Sequence, residues 1–193
     1  SRILVVGGYD GSSELDTAEM YDPKTQAWTS VSPMSTKRAD AAAVVLPGSA
    51  QAMVIGGHDG TSELNSAEVF DAHTQTWTIV PTMSTKRAGS AAVQLSQLQV
   101  LVTGGYGGSS EEMLDSAEVY DVSTQTWSSV PPMLSKRYCH DAVMLPDAQV
   151  LVMGGFDGSG ELDTAEVYDP HSQTWSSVAP MLSRRWGPAA ACY

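Results

Sequence analysis

The apolar residues of this chain occur in short runs that are separated by glycine, proline and polar turns. Four such runs follow one another in the second quarter of the chain, at residues 38–46, 52–57, 67–71 and 76–80. The first two consist largely of β-branched or small apolar residues, as buried strands do, whereas the third alternates in character and is followed by a polar turn. The alanine runs are too short for a helix and lack capping residues. The pattern therefore predicts four short strands and a nearly all-β chain.

The same unit is repeated along the whole chain. Glycine pairs recur every 48 to 50 residues, at Gly7-Gly8, Gly56-Gly57, Gly104-Gly105 and Gly154-Gly155. A tryptophan follows at the same interval, seven residues after a tyrosine or phenylalanine, at Trp28, Trp77, Trp127 and Trp175. An arginine stands ten residues after each tryptophan, at Arg38, Arg87, Arg137 and Arg185. Four copies fill the chain, so we expect a single domain over residues 1–193.

The composition excludes several classes of protein. Hydrophobic residues make up 42% of the 193 residues and charged residues 17%, which is typical of folded soluble proteins rather than disordered ones. The formal net charge of −12 has the wrong sign for a protein that neutralises phosphates, so we expect no nucleic-acid partner. The longest apolar runs, such as residues 41–46, are too short for membrane insertion.

The chain start and the cysteines bear on the compartment. No charged-then-apolar leader precedes residues 3–6, so a signal peptide is either absent or already removed from a processed or longer protein. Cys139 and Cys192 are too few for a disulfide framework and are expected to be free thiols. The sequence leaves the compartment open and favours an intracellular location.

Several of these motifs together resemble the kelch repeat. They are the glycine pair that ends the second strand, the tyrosine of the third, the tryptophan of the fourth, and the Pro-Met-x-x-x-Arg segment at residues 33–38, 132–137 and 180–185. The resemblance covers all 193 residues and implies a β-propeller of four four-stranded blades. The expected blade boundaries are 1–35 plus 186–193 for blade I, 36–84 for blade II, 85–134 for blade III and 135–185 for blade IV.

Blade I lacks its own innermost strand, and the C-terminal stretch 186–193 is a spare one. In kelch propellers of this permuted kind the last strand completes the first blade, so we expect residues 186–193 to pair with residues 3–8 and close the ring. Two alternatives stay open, because kelch rings usually have six or seven blades. Either the chain is part of a larger ring, or two copies associate into one ring of eight blades.

Comparison among the four copies separates scaffold residues from site residues. The glycine pairs, the four tryptophans and the four arginines are kept in every copy, so we assign them to the fold, together with Glu19, Glu68, Glu118 and Glu166. Glycine permits close backbone approach, the tryptophan fills the space between blades, and the Glu and Arg are expected to pair. The residues that follow Gly-Gly and Arg differ between copies. Strand direction places both sets of loops on one face, which we call the long-loop face.

We expect a protein or peptide partner to dock on the long-loop face, because loops on a rigid scaffold carry most binding sites. Many kelch domains, which this chain resembles, grip peptides there. The candidate partner-binding residues are Tyr9, His58, Tyr106, Phe156, Asp40, Tyr138, His140 and Trp186. The aromatic residues after the arginines fall in the last two copies and are typical of interface anchors, although the same side chains would also plug a narrow channel.

The charges of this face favour a basic or mixed-charge partner. Acids outnumber the nearby bases, at Asp10, Glu14, Asp59, Glu63, Glu111, Glu112, Asp157 and Glu161. The competing interpretation is a ring of basic pairs that receives an acidic peptide, as in some kelch adaptors, formed by Lys37-Arg38, Lys86-Arg87, Lys136-Arg137 and Arg184-Arg185.

No catalytic or metal-binding motif stands out, so we expect neither a cofactor nor a metal. His73 and His171 lie in the short turns of one face whereas His58 and His140 belong to the other, and no nucleophile elbow accompanies any serine. Kelch-like oxidases carry copper with a Cys-linked Tyr, and kelch-like specifier proteins carry iron, but neither ligand set can be matched here. The preferred function is a non-catalytic binding scaffold, a recognition module or a subunit of a larger assembly. The alternative is a kelch-like oxidase or sugar isomerase with its site at the channel mouth, for which a pocket lined by His58, His140 and Asp40 would be the sign.

Overall fold

The computed structural model describes residues 2–46, 48, 50–110 and 112–192 and is all-β over that part of the chain. The predicted all-β fold class is confirmed, and three of the four predicted blades are four-stranded antiparallel sheets in the described residues. Within these residues no helix is present that has the length and apolar character to span a membrane.

The strands follow the four sequence copies. Blade I has three strands, β1 (Ile3–Val6), β2 (Ala18–Asp22) and β3 (Ala27–Val31). Blade II has four, β4 (Ala42–Leu46), β5 (Gln51–Ile55), β6 (Ala67–Asp71) and β7 (Thr76–Val80). A short strand, β8 (Arg87–Ala88), precedes blade III, which begins with β9 (Ala91–Ser96) and β10 (Gln99–Thr103).

The remaining strands complete blades III and IV. Two short strands, β11 (Tyr106–Gly107) and β12 (Glu112–Met113), pair in the loop of blade III, and β11 also pairs with β8. Blade III ends with β13 (Ala117–Asp121) and β14 (Thr126–Val130). Blade IV consists of β15 (Asp141–Met144), β16 (Val150–Met153), β17 (Ala165–Asp169) and β18 (Thr174–Val178).

The innermost strands start later than their sequence pattern suggests. In blade II, β6 and β7 match the predicted 67–71 and 76–80 residue for residue, but β4 starts at Ala42 rather than at Arg38. Asp40 has a φ of 52°, which lies in the left-handed region and interrupts an extended chain. The segment between Arg38 and Ala42 is therefore a loop on the long-loop face.

The hydrophobic core lies between the blades. Side chains of β10 alternate, so that Val100 and Val102 pack against blade II while Leu101 packs against blade IV. All three are buried, because successive residues of a strand point to opposite faces of the sheet. A central blade thus contributes to two cores at once.

A buried arginine holds each pair of consecutive blades together. The Arg87 carbonyl accepts a hydrogen bond from the backbone N–H of Gly57 in blade II, at 2.8 Å. Its guanidinium enters blade III and donates to the carboxylate of Glu118 at 3.0 Å and to backbone carbonyls of Gly104 and Ser116, both at 2.9 Å. Both charged side chains are fully buried. The same pairing recurs as Arg38 with Glu68 and Arg137 with Glu166, at 3.1 and 2.8 Å.

The contact that the buried arginine makes between two consecutive blades, which we call a joint, also explains the glycine pair. Gly56 has a φ of 63°, and a Cβ at this position would lie 2.3 Å from the carbonyl oxygen of Arg87. A side chain there would push the arginine away from blade II, so glycine is required at this close approach.

A tryptophan adds a second contact at each joint. The indole Nε1 of Trp77 donates to the carbonyl oxygen of Ser32 in the preceding blade, at 2.7 Å. Trp127 and Trp175 make the equivalent hydrogen bonds to Pro81 and Pro131, at 2.7 and 2.8 Å. Trp28 belongs to the first blade and is 54% exposed, so it does not fill a space between blades as the sequence predicted.

Closure of the ring by the C-terminal strand is not confirmed. Among the described residues β1 pairs only with β2, and residues 186–192 form no strand. They lie against blade IV, where the Gly187 N–H donates to the Cys139 carbonyl at 2.9 Å. Pro188 has no N–H to donate to a strand ladder, which disfavours the predicted pairing. Ser1 and Tyr193, which belong to the predicted blade I, lie outside the described residues.

We expect Trp77→Ala to lower the free energy of unfolding by about 3 kcal/mol, because it removes buried indole surface and the hydrogen bond to the preceding blade. Trp28→Ala is the matched control, since Trp28 stacks on Tyr21 as Trp77 stacks on Phe70 but hydrogen-bonds to no other blade among the described residues. It should cost about 1 kcal/mol. Urea unfolding followed by circular dichroism measures both, and equal losses would contradict the interblade role.

Arg87→Met should cost about 3 to 5 kcal/mol, because it leaves the Glu118 carboxylate buried without its cation. Arg185→Met changes the equivalent arginine of the last copy, which is exposed rather than buried, and should cost less than about 0.5 kcal/mol. The two variants are compared by chemical unfolding of dilute protein. Similar stabilities for the two would show that the buried pair does not hold the joint.

Candidate functional site on the long-loop face

The loops of the long-loop face share one backbone shape. Each turns back on itself through a bridge between the residue after Gly-Gly and a residue about five positions later, as in Tyr9 with Glu14 and Phe156 with Glu161. In blade III the equivalent bridge joins Tyr106 to Met113. The loops therefore present the residues after Gly-Gly at equivalent places around the face.

An aspartate shapes three of these loops. The Oδ1 atom of Asp10 accepts hydrogen bonds from the backbone N–H groups of Ser12 and Ser13, at 2.8 and 2.9 Å, and from the Ser12 hydroxyl. These donors lower the pKa of Asp10 to about 2, the Ser12 hydroxyl contributing most. Asp59 accepts equivalent backbone hydrogen bonds from Ser62 and Thr61, which lower its pKa. The Ser159 hydroxyl, followed by backbone N–H groups, lowers the pKa of Asp157 in the same way. These three aspartates are thus ionised at neutral pH. Glu111, predicted to be one of the acids of this face, lies outside the described residues.

Four of the predicted partner-binding residues come together in one cluster. We call it the aromatic cluster, and it consists of Tyr106, Tyr138, Phe156 and Trp186. Ring centroids are 6.2 Å apart for Tyr106 and Tyr138, 6.4 Å for Tyr138 and Trp186, and 5.7 Å for Phe156 and Trp186. Trp186 is 58% exposed and the others are half-buried. The cluster therefore offers an open aromatic surface on blades III and IV.

The other predicted site residues lie apart from the cluster. Tyr9 is exposed on blade I, and Asp40 is exposed at the inner rim of blade II. His58 is half-buried, and its Nδ1 atom accepts a hydrogen bond from the Gly60 N–H at 3.0 Å. Since Nδ1 is an acceptor there, its 3.8 Å separation from the Glu14 carboxylate is neither a hydrogen bond nor an ion pair.

A backbone ladder runs from blade to blade around the inner rim. The Gly89 N–H donates to the Asp40 carbonyl, the Cys139 N–H to the Gly89 carbonyl, and the Gly187 N–H to the Cys139 carbonyl, at 2.8, 2.9 and 2.9 Å. All four residues have positive φ angles between 49° and 63°. The ladder fixes the backbone of Cys139 and Gly187, the residues that directly follow Tyr138 and Trp186. Their rings are therefore held by a rigid support.

Gly89 is a positioning residue that sequence reasoning did not single out. A Cβ on Gly89 would lie 2.4 Å from Cε2 of Tyr138, so the tyrosine ring packs directly over this glycine. The signal was present in the sequence, because the ladder positions read Asp, Gly, Cys and Gly in the four copies. Gly89 of blade III thus lies next to the bulky Tyr138 of blade IV. Burial is the main cause that raises the pKa of Tyr138, and its hydroxyl is neutral at physiological pH.

His140 does not belong to the exposed surface. It is 7% exposed, and its Nε2 atom shares a hydrogen bond of 2.8 Å with the hydroxyl of Thr103 on β10. Burial lowers the pKa of His140 to about 3, and the charge of Arg137 adds to the shift. We therefore exclude His140 from the docking surface, although the sequence placed it there.

The basic pairs of this face do not present a continuous ring of arginines. Arg38, Arg87 and Arg137 are buried in the joints, and Lys136 pairs with Glu112. The exposed cations among the predicted pairs are Lys37, Lys86, Arg184 and Arg185. The three buried arginines are thus unavailable to an acidic peptide.

The inner strands of blades II to IV line an open depression of about 750 Å³. It is lined mainly by apolar residues such as Val93, Ala142 and Met144. His58, His140 and Asp40, which would mark an enzyme pocket, do not line it. In the part of the chain that the structure describes, no three His, Cys, Asp or Glu side chains are grouped to hold a metal ion.

The buried His140 predicts an acid sensitivity of the fold. The pKa of His140 in the unfolded chain is 6.5. Below that pH the imidazole binds a proton in the unfolded chain but stays neutral in the folded one. Its contribution to stability is complete above pH 6.5 and is lost as the pH falls toward 3. Between pH 7 and pH 5 wild type should lose about 2 kcal/mol more than His140→Gln. Unfolding free energies against pH measure this, with the exposed His73→Gln as control. Parallel curves for wild type and His140→Gln would contradict the burial of a neutral ring.

The comparisons with known proteins agree with the fold. The solved structure of YjhT superposes on 92% of this chain with a TM-score of 0.75 and 16% identity. This chain spans 65% of YjhT. The influenza virus NS1A-binding protein homolog B of Danio rerio is 40% identical over 52 residues, which are 27% of this chain and 8% of that protein. The family model of the Attractin/LZTR1 β-propeller matches residues 1–165. This chain therefore belongs to the Attractin/LZTR1 β-propeller family, a propeller of the kelch type.

Proposed function

We propose that this chain is a non-catalytic binding module that docks a protein or peptide through the long-loop face. The observation that carries the proposal is the aromatic cluster, in which a 58% exposed Trp186 stands beside Tyr138 and Phe156. Large aromatic side chains supply much of the contact energy at protein interfaces. The cluster is also held rigidly, so little conformational freedom is lost when a partner binds.

The partner carries basic or mixed charge. The ionised carboxylates of Asp10, Asp59 and Asp157 lie in the loops around the face, and the chain as a whole has a net charge of −12. Surface charge steers association and sets orientation, so binding weakens as salt is added. The burial of three arginines in the joints removes most of the support for an acidic peptide.

The similar proteins are compatible with a binding role. The Danio rerio relative bears a name that states binding of the influenza virus NS1A protein, although its match covers 27% of this chain. A small-molecule enzyme has less support, because the depression between the inner strands is lined mainly by apolar side chains.

A peptide selection tests the proposal. A random peptide library is displayed and selected on the folded chain, and each enriched peptide is then titrated against variants. Trp186→Ala combined with Tyr138→Ala should weaken binding by at least about 30-fold, as loss of central aromatic anchors does. The enriched peptides should carry Lys or Arg, and their dissociation constants should rise with salt.

The matched control is Lys24→Ala combined with His73→Ala, two exposed positions in the short turns of the opposite face. This variant should bind the peptides as wild type does. Equal losses in the two double variants, or a loss confined to the control, would overturn the assignment of the face. Thermal melts of both variants confirm that they are folded before the titrations.

A further inference from the structure

The ring of Tyr138 extends from blade IV over the ladder of blade III. Its Cδ2 and Cε2 atoms lie 2.7 and 2.4 Å from the position that a Cβ of Gly89 would occupy, so the ring covers this ladder residue. The Gly89 N–H donates at 2.8 Å to the carbonyl of Asp40, the ladder residue of blade II. The exposed Asp40 is therefore the next ladder residue beyond the one that the tyrosine covers.

A second carboxylate approaches from the loop of blade II that follows β5. The Cβ of Glu63 lies 3.3 Å from the position that a Cβ of Gly107 would take, so Glu63 packs against the loop of blade III. Gly107 directly follows Tyr106, whose ring meets that of Tyr138 nearly edge-on, with centroids 6.2 Å apart and an interplanar angle of 68°. Glu63 therefore lies beside the Tyr106 end of the aromatic cluster.

The two carboxylates bring negative charge to this end of the aromatic cluster. Burial raises the pKa of the Tyr138 hydroxyl most, the neighbouring Cys139 raises it next, and the charges of Asp40 and Glu63 add to the shift. In the part of the chain that the structure describes, neither carboxylate has an ion pair or a hydrogen bond of its own. Both are therefore available to a cation that a partner supplies.

An arginine side chain matches this combination of a fixed ring and two carboxylates. Its guanidinium is planar and charged, so it can stack on an aromatic ring while its N–H groups bind carboxylates. A lysine offers one compact charge without a flat face. On the basis of the docking role proposed above, we propose that Tyr138, Asp40 and Glu63 form a subsite that receives an arginine side chain of the partner. The guanidinium stacks on the Tyr138 ring and donates to both carboxylates.

Titration with Nα-acetylarginine amide, followed by heteronuclear NMR of the folded chain, tests the subsite. The backbone amide signals of Gly89 and Cys139 should shift and saturate, with a dissociation constant of about 1 to 10 mM, as expected for one side chain. Nα-acetylcitrulline amide has nearly the same shape but no charge. It should bind at least about 10-fold more weakly, because it loses both the cation–π contact and the charge-assisted hydrogen bonds.

Asp40→Asn combined with Glu63→Gln should weaken binding of the arginine probe by at least about 10-fold. Asparagine readily adopts the positive φ of position 40, and glutamine has the shape of glutamate, so this variant should keep the wild-type melting temperature. The matched control is Glu14→Gln combined with Asp147→Asn. It removes the same charge, at the equivalent loop position of blade I and on the opposite face, and should bind the probe as wild type does.

Three results would overturn the subsite: no saturable shift with the arginine probe, equal affinity for the citrulline probe, or equal losses in the double variant and its control. The titration and the peptide selection fail independently. Selected peptides that require Tyr138 and Trp186, together with an arginine probe that does not bind, would keep the docking face and refute the subsite. A bound arginine probe, together with peptides that do not require the aromatic cluster, would refute the docking role and keep the subsite.

Discussion

One buried arginine at each joint carries much of the architecture. Arg87 binds blade II through its backbone carbonyl and blade III through its guanidinium, so a single residue belongs to both sheets. A charge removed from water is costly unless it is paired and hydrogen-bonded, and burial lowers the pKa of Arg87 while Glu118 opposes the shift. The glutamate in turn holds the backbone that enters from the preceding blade. Neither blade can move without breaking this set of contacts.

The repeat pattern predicts the fold well because blade chemistry is local. The alternation in residues 67–71 and the Trp-containing run 76–80 coincide with β6 and β7. The start of β4 could not be read from its alanines, because the positive φ of Asp40 belongs to a ladder between blades. The position of residues 186–192 depends on where blade I lies relative to blade IV. The distance between blades I and IV depends on the sum of the three angles between consecutive blades, and the sequence pattern within one repeat does not predict these angles.

The candidate site was predicted in part. Copy-to-copy divergence identified Tyr138 and Trp186, since residues that the blade does not need are free to differ, and the structure brings them into one cluster. His140 was placed on the same surface by its position in the loop, but its ring turns inward to Thr103. Gly89 was missed because its role is to leave space for a neighbour's ring. Contacts of this kind depend on packing between copies rather than on the residues within one.

The position of each arginine at the seam between two sequence repeats has a consequence for how such chains change over time. Recombination that gains or loses one whole repeat leaves each buried arginine followed by a blade with its glutamate, since Arg38, Arg87 and Arg137 pair with the equivalent glutamate of the next blade at 3.1, 3.0 and 2.8 Å. The number of blades can therefore change while every interface between blades keeps the same arginine–glutamate contact. What limits the number is the angle between neighbouring sheets, which the apolar side chains between them determine.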